Sequence, residues 1–167
     1  MTGGAWPAAE LLAGEIIPGL ADRGQTVGVA ESLTGGLVAA ALTSVPGSSA
    51  VFLGGIVAYA TSLKAALLGV PAELLARYGP VYPDVAAAMA SGVRARLGAT
   101  YGLATTGVAG PGPADGQPAG TVFVALAGPG TDTVRELRLT GDRAAVRAAS
   151  AAAVLSLLVS ALREDRS

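Results

Sequence analysis

The sequence predicts a three-layer α/β sandwich, with helices on both faces of a mixed β-sheet. Three observations lead there. Short strand-like runs are mixed with helical stretches along the 167 residues, the arrangement that puts helices over a sheet. Near the end, two strand-like runs, Thr121 to Ala127 and Thr133 to Leu139, are joined through Gly128-Pro129-Gly130. They read as a hairpin, which brings an antiparallel pair into the sheet. No internal repeat or linker interrupts the chain, so one domain is expected over residues 1–167.

Each element has a local reason. Pro7 through Ala21 has Leu11, Leu12, Ile16 and Leu20 at helical spacing behind an N-terminal proline, with Pro18 placed to shorten or kink the helix. Thr26 to Ala30 (TVGVA) reads as a short buried strand and Gly35 to Val45 as a helix. Phe52 to Tyr59 is a second strand, where Gly54-Gly55 marks a bulge or a close approach. Thr61 to Leu68 is a short helix stopped by Gly69. Pro71 to Tyr78 and Pro83 to Leu97 each open on proline, and Asp84 adds a favourable charge to the second. Tyr101 to Thr106 is a strand that leaves into a Gly/Pro loop, Gly107 to Ala119. The last helix runs from about Asp142 to Leu162, with Val146, Val154, Leu157, Leu158 and Leu162 on one side.

Composition narrows the chemistry. The chain has no histidine, cysteine or asparagine and one lysine, Lys64. Ser-His-Asp and Cys-His centres are therefore excluded, as is a zinc site built on His or Cys. The twelve carboxylates are scattered, so no metal site is expected. Net charge is −1 with no basic arm, which removes the electrostatic footprint of nucleic-acid binding. Mean hydropathy is high, +0.56, but Ala and Gly drive it. Turn residues cut the uncharged run Ser32 to Leu63 into pieces of about ten residues, short of the ~20 a spanning helix needs. Ala148 to Leu162 is also short, so no membrane partner is expected. The lack of cysteine, and an opening Met1-Thr2-Gly3-Gly4 without a basic segment, point to the cytoplasm.

Four segments have residues suited to a site. Ala30 to Gly36 (AESLTGG) sits between a strand and a helix. Ser32 and Thr34 there serve either as helix caps or as part of a ligand loop. The second runs from Ser48-Ser49 through Tyr59 to Lys64. Lys64 borders the long uncharged run and is either a surface lysine opening a helix or a desolvated base. To act near neutral pH it must lose about 3 pKa units, roughly 4 kcal/mol, and pairing with Glu31 would oppose that loss. The third is the loop Thr105 to Pro113, a ligand wall or a plain connection. The fourth is Thr140-Gly141-Asp142-Arg143 with Arg147 one turn on. Two arginines at a helix N-terminus oppose the macrodipole, so they mark either an anion ligand or a surface pair.

Taken together, AESLTGG, PGSSAVF (Pro46 to Phe52), YATSLKAALLGV (Tyr59 to Val70), MASG (Met89 to Gly92), TTGVAGPG (Thr105 to Gly112), GTVFVA (Gly120 to Ala125) and GDRAAVR (Gly141 to Arg147) resemble the CinA C-terminal domain family. That domain is also known as a stand-alone nicotinamide-nucleotide amidohydrolase. The resemblance implies hydrolysis of the carboxamide of nicotinamide mononucleotide to nicotinic acid mononucleotide and ammonia, without cofactor or metal. It implies Ser49 as nucleophile, Lys64 as base and Tyr59 as relay. Glu31, Ser32, Thr34, Gly35, Gly36, Thr106, Gly107 and Arg143 would hold the nucleotide. A homo-oligomer, a dimer, is expected. The chain departs from the family pattern at Leu33, Thr61, Tyr82 and Gln117, and the last two bear on substrate handling. A non-catalytic nucleotide-binding or regulatory module is the alternative.

Overall fold

The computed structural model describes residues 6–165. The expected domain span of 1–167 and the reading of Met1-Thr2-Gly3-Gly4 take in residues 1–5 and 166–167, which lie outside the described residues. The elements are α1 (Trp6–Ala21), β1 (Val27–Glu31), α2 (Leu37–Thr43), a 3-10 turn (Ser48–Ala50), β2 (Phe52–Val57), α3 (Thr61–Leu68), α4 (Ala72–Tyr78), α5 (Pro83–Leu97), β3 (Tyr101–Gly107), β4 (Thr121–Gly128), β5 (Thr131–Arg138) and α6 (Arg143–Glu164).

The five strands form one mixed sheet in the order β2-β1-β3-β4-β5. β1 pairs parallel with both β2 and β3, while β3–β4 and β4–β5 are antiparallel. Helices α1, α2 and α6 cover one face through Ile16, Leu20, Leu42, Leu155 and Leu158. Helices α3, α4 and α5 cover the other through Leu68, Leu74, Val85, Met89 and Val93. The expected three-layer sandwich with a mixed sheet is what forms. β4 is buried along all eight residues, as a strand covered on both faces must be. The hairpin also forms, with β5 returning across a two-residue connection at Pro129-Gly130.

Some element ends differ from expectation for identifiable reasons. The helix expected from Gly35 begins at Leu37, because Gly35 and Gly36 both take left-handed φ values, 56° and 109°. Its first turn is held instead by Glu31, whose carboxylate accepts from the backbone N–H groups of Val38 (2.9 Å) and Ala39 (3.1 Å). Helix α1 runs through Pro18 to Ala21 without ending there. Asp142, expected inside the last helix, is its N-cap and accepts from the N–H of Ala145 at 2.8 Å. At the Gly54-Gly55 pair, the β1–β2 register shifts between Val27 and Gly28, and a Cβ on Gly55 would come within 2.9 Å of Val29.

Helix α6, at 22 residues, is close to the expected Asp142 to Leu162 but longer than the stretch Ala148 to Leu162 that reads as too short to span a membrane. By length and composition alone it could cross a membrane, yet half of its apolar stretch is buried inside this fold. Val146, Val154, Leu155, Leu158 and Leu162 pack in the core with α1 and α2. That is the position of a core helix.

The sheet and α5 meet closely at Gly102, where an added Cβ would lie 2.1 Å from the carbonyl oxygen of Ala90. Gly102→Ala should therefore lower unfolding free energy by about 2–3 kcal/mol, since backbone must move to admit the methyl. Gly14, exposed in α1 with no atom near its would-be Cβ, should respond oppositely, gaining about 0.5–1 kcal/mol as alanine. Chemical denaturation of the two variants checks the pair, and equal shifts would contradict the packing described.

Candidate active site

The three parallel strands end on the same edge of the sheet, and each delivers a different group there. Ser32 follows β1, Tyr59 and Lys64 follow β2, and Thr106 and Gly107 close β3. With Leu33, Pro80, Val81, the loop from Val108 to Asp115, and Arg143 at the start of α6, they line one pocket. In an open α/β sheet, the crevice beyond the carboxyl ends of strands at a reversal of strand order is where ligands bind. Here the chain goes from β1 outward to β2 and then back across to β3.

Lys64 is the central group. It lies on the buried side of α3 and is 1 % exposed. Its Nζ is within hydrogen-bond reach of the Ala58 carbonyl at 2.7 Å, Ser32 Oγ at 3.0 Å and the Tyr59 carbonyl at 3.4 Å. Burial lowers its pKa from 10.5 to about 8, opposed by the negative charge of Asp115. Glu31 does not pair with it, because both oxygens of that carboxylate are committed to α2. A neutral amine has two N–H groups and one lone pair. With both carbonyls accepting the N–H groups, the lone pair is left for the Ser32 hydroxyl to donate into.

Ser32 is held in turn. Its backbone N–H donates to the carbonyl of Thr105 at 3.1 Å and lies 3.4 Å from Thr105 Oγ1. The buried hydroxyls of Thr105 and Thr34 meet at 2.8 Å. Arg147 donates to the carbonyls of Leu33 (2.9 Å) and Thr34 (3.2 Å), bracing the turn from outside. Thr106 lines the pocket and donates to the Pro80 carbonyl at 2.7 Å. Arg143 donates to the Gly110 carbonyl at 2.9 Å and to the Tyr59 hydroxyl at 3.0 Å.

Several sequence expectations need correction. Ser49 is exposed in the 3-10 turn before β2 and does not line the pocket. The six residues of β2 separate it from Lys64, a span of roughly 20 Å at about 3.3 Å per residue. Ser32, expected as a cap or a substrate contact, is the serine that Lys64 touches. Tyr59 is 60 % exposed, and its hydroxyl faces Arg143, so it has no contact through which to relay a proton between Ser32 and Lys64. Glu31, Thr34, Gly35 and Gly36 support the Ser32 turn from behind and are not among the lining residues. Thr106, Gly107 and Arg143 do line the pocket. Of the arginine pair, Arg147 is a brace for the loop, and Arg143 is the one at the pocket. Nothing in the sequence marks Asp115 as a pocket residue, though Asp-Gly before Gln117 is itself a turn signal. Among the described residues, no three or more Asp or Glu side chains gather as a metal site would require.

Comparison with known proteins agrees with this architecture. The CinA C-terminal domain matches residues 9–162. A CinA-like protein of Frankia casuarinae is 54 % identical over 151 residues, covering 90 % of this chain and 35 % of its own length. A putative competence-damage inducible protein of Desulforamulus reducens is 48 % identical, covering 83 % of this chain and 34 % of that protein. The chain thus spans about a third of the length of these relatives. Among solved structures, the competence/damage inducible protein CihA from Agrobacterium tumefaciens superposes with a TM-score of 0.89 at 38 % identity, over 93 % of this chain and 96 % of that one. A CinA superfamily protein from Enterobacter cloacae gives 0.88 at 32 % identity, over 92 % of each chain. The chain belongs to the CinA family and is similar to its C-terminal domain over nearly its whole length.

Proposed function

We propose that the protein is an amidohydrolase that converts nicotinamide mononucleotide to nicotinic acid mononucleotide and ammonia, with Ser32 as nucleophile and Lys64 as base. The observation that supports this reading is the buried Lys64 amine 3.0 Å from Ser32 Oγ, with no carboxylate among the described residues in contact with it. At pH 7, a lysine of pKa about 8 is neutral in roughly one molecule in ten, against about one in three thousand at 10.5. The substrate is the one implied by the family resemblance.

Ser32 Oγ attacks the carboxamide carbon as its proton passes to Lys64 Nζ. The resulting tetrahedral oxyanion needs N–H donors, and the backbone N–H of Leu33, which lines the pocket next to Ser32, is the candidate source. Lys64 then returns the proton to the leaving nitrogen, ammonia departs, and an acyl ester remains on Ser32. Water, deprotonated by the same amine, releases the carboxylic acid and restores the serine. Arg143, at the pocket rim with donors beyond the two it spends on Gly110 and Tyr59, is placed for a phosphate. Tyr59 keeps that guanidinium in position and lends its carbonyl to Lys64. A nucleotide-binding module without chemistry would have the same pocket but no use for a desolvated lysine against a serine. As proposals, the working form is a homodimer located in the cytoplasm.

Ammonia release from the mononucleotide tests the assignment. Ser32→Ala should lower kcat by at least about 10³-fold, in line with loss of a nucleophile, whereas Ser49→Ala should stay within about twofold of the parent. The reverse pattern would return the nucleophile to Ser49.

The pH profile follows from the sign of the lysine shift. Because neutral Lys64 is the active form, kcat/KM should rise with pH through about 8 and level off above it. Lys64→Arg should lose at least about 10²-fold and the rising limb with it, since guanidinium does not release its proton at working pH. A flat profile from pH 6 to 9 in the parent protein would contradict lysine as the base.

A further inference from the structure

The pocket contains both signs of charge. Lys64 and Arg143 are its cations, and among the lining residues Asp115 is the only carboxylate. Asp115 and Gly116 are the central residues of a tight turn, with φ values of 51° and 74°. Ala114 and Gln117 close it by exchanging backbone hydrogen bonds of 3.1 and 2.9 Å. Asp115 is the one described residue other than glycine with positive φ. A turn of this geometry takes asparagine as readily as aspartate, so the fold accounts for the shape of the side chain and not for its charge.

That charge also works against the base. It raises the Lys64 pKa, reducing the neutral fraction that burial creates. A carboxylate that the turn does not require, and that hinders the base, is explained if it acts on the ligand. The reading above supplies a suitable one, since a nicotinamide ring joined to ribose through its nitrogen bears a formal positive charge, while the phosphate at the other end is negative. Such a ligand is a zwitterion, and the pocket offers a carboxylate on its loop wall and a guanidinium at its rim.

We propose that Asp115 is a specificity residue that selects ligands with a positively charged ring over neutral ones of the same shape. The proposal rests on the amidohydrolase reading for its ligand class. Asp115 does not touch the reacting atoms in this scheme. Its carboxylate sets the potential felt by the ring, and the gain in recognition offsets the loss in base strength.

The test uses Ser32→Ala protein, so that ligand is bound and not consumed, with and without Asp115→Asn. The probes are nicotinamide mononucleotide, whose ring is cationic, and its 1,4-dihydro form, whose ring is neutral, with affinities measured by calorimetry at pH 8. Asp115→Asn should weaken the cationic probe about fivefold, the upper scale for one solvent-accessible charge pair, and change the neutral probe by less than twofold. Equal weakening of both probes, no change in either, or no binding of either overturns the proposal. A second readout uses active protein with Ser32 intact, in which Asp115→Asn should move the rising limb of the pH profile to lower pH. A limb that stays in place or moves upward counts against the proposal. Failure of the underlying reading alone looks different: both probes bind and the ratio of their affinities still judges Asp115, but the parent protein releases no ammonia.

Discussion

An ammonium group taken out of water loses hydration that neutral acceptors replace only in part. Lys64 is in that position, in contact with two carbonyls and a hydroxyl, 1 % exposed and, among the described residues, without a bound carboxylate. The response is a lowered pKa. Its folded pKa of about 8 lies below the unfolded value of 10.5, so between these the unfolded chain binds more protons than the folded one. Stability therefore rises with pH across that window. The burial penalty, about 3 kcal/mol by the size of the shift, is fully present below pH 8 and gone above about 10.5. The domain accepts a less stable lysine at neutral pH, and in the proposed reaction that lysine is the base.

Much of the surrounding structure preserves that isolation. Glu31 is the nearest carboxylate in sequence to Ser32, and pairing with Lys64 would return the pKa toward its ordinary value. Its two oxygens are instead drawn to the N–H groups of Val38 and Ala39, where the dipole of α2 favours a negative charge. That arrangement needs α2 to start at Leu37, which the left-handed pair Gly35-Gly36 ensures. Arg147 stabilises the carbonyls of the same turn, and the Thr34–Thr105 contact ties it to β3. Arg143 and Arg147 oppose the macrodipole of their own helix, and both use their guanidinium groups on loop carbonyls around the pocket.

The fold was legible in the sequence because each element had a local signal. The hairpin had Pro-Gly between two strand-like runs, α5 had Pro83 and Asp84 at its start, and the strands between helices required a sheet covered on both faces. Boundaries slipped where side chains decided them, as when Glu31 and two glycines set the start of α2. In the site, Lys64 was legible by elimination, as the only lysine in a chain without histidine or cysteine. The serine was not, because Ser49 is closer to Lys64 in sequence and sits in a segment resembling the family. Topology places the two serines at opposite ends of the strands. Strands β1 and β2 are parallel, so residues following each of them share an edge, whereas Ser49 precedes β2 and lies at the other end. Asp115 is not legible in the sequence, because a turn residue's charge has no meaning until the loop is folded against the pocket.

Lys64 being the only lysine makes the central claim directly measurable. Protein grown with lysine labelled at the ε-carbon and ζ-nitrogen gives a single side-chain signal that needs no assignment, and its chemical shift can be followed by NMR from pH 6 to 11. The account predicts a titration midpoint near 8. A midpoint at the ordinary 10.5 would mean that Lys64 remains an ammonium at working pH, and the serine–lysine site would lose its base.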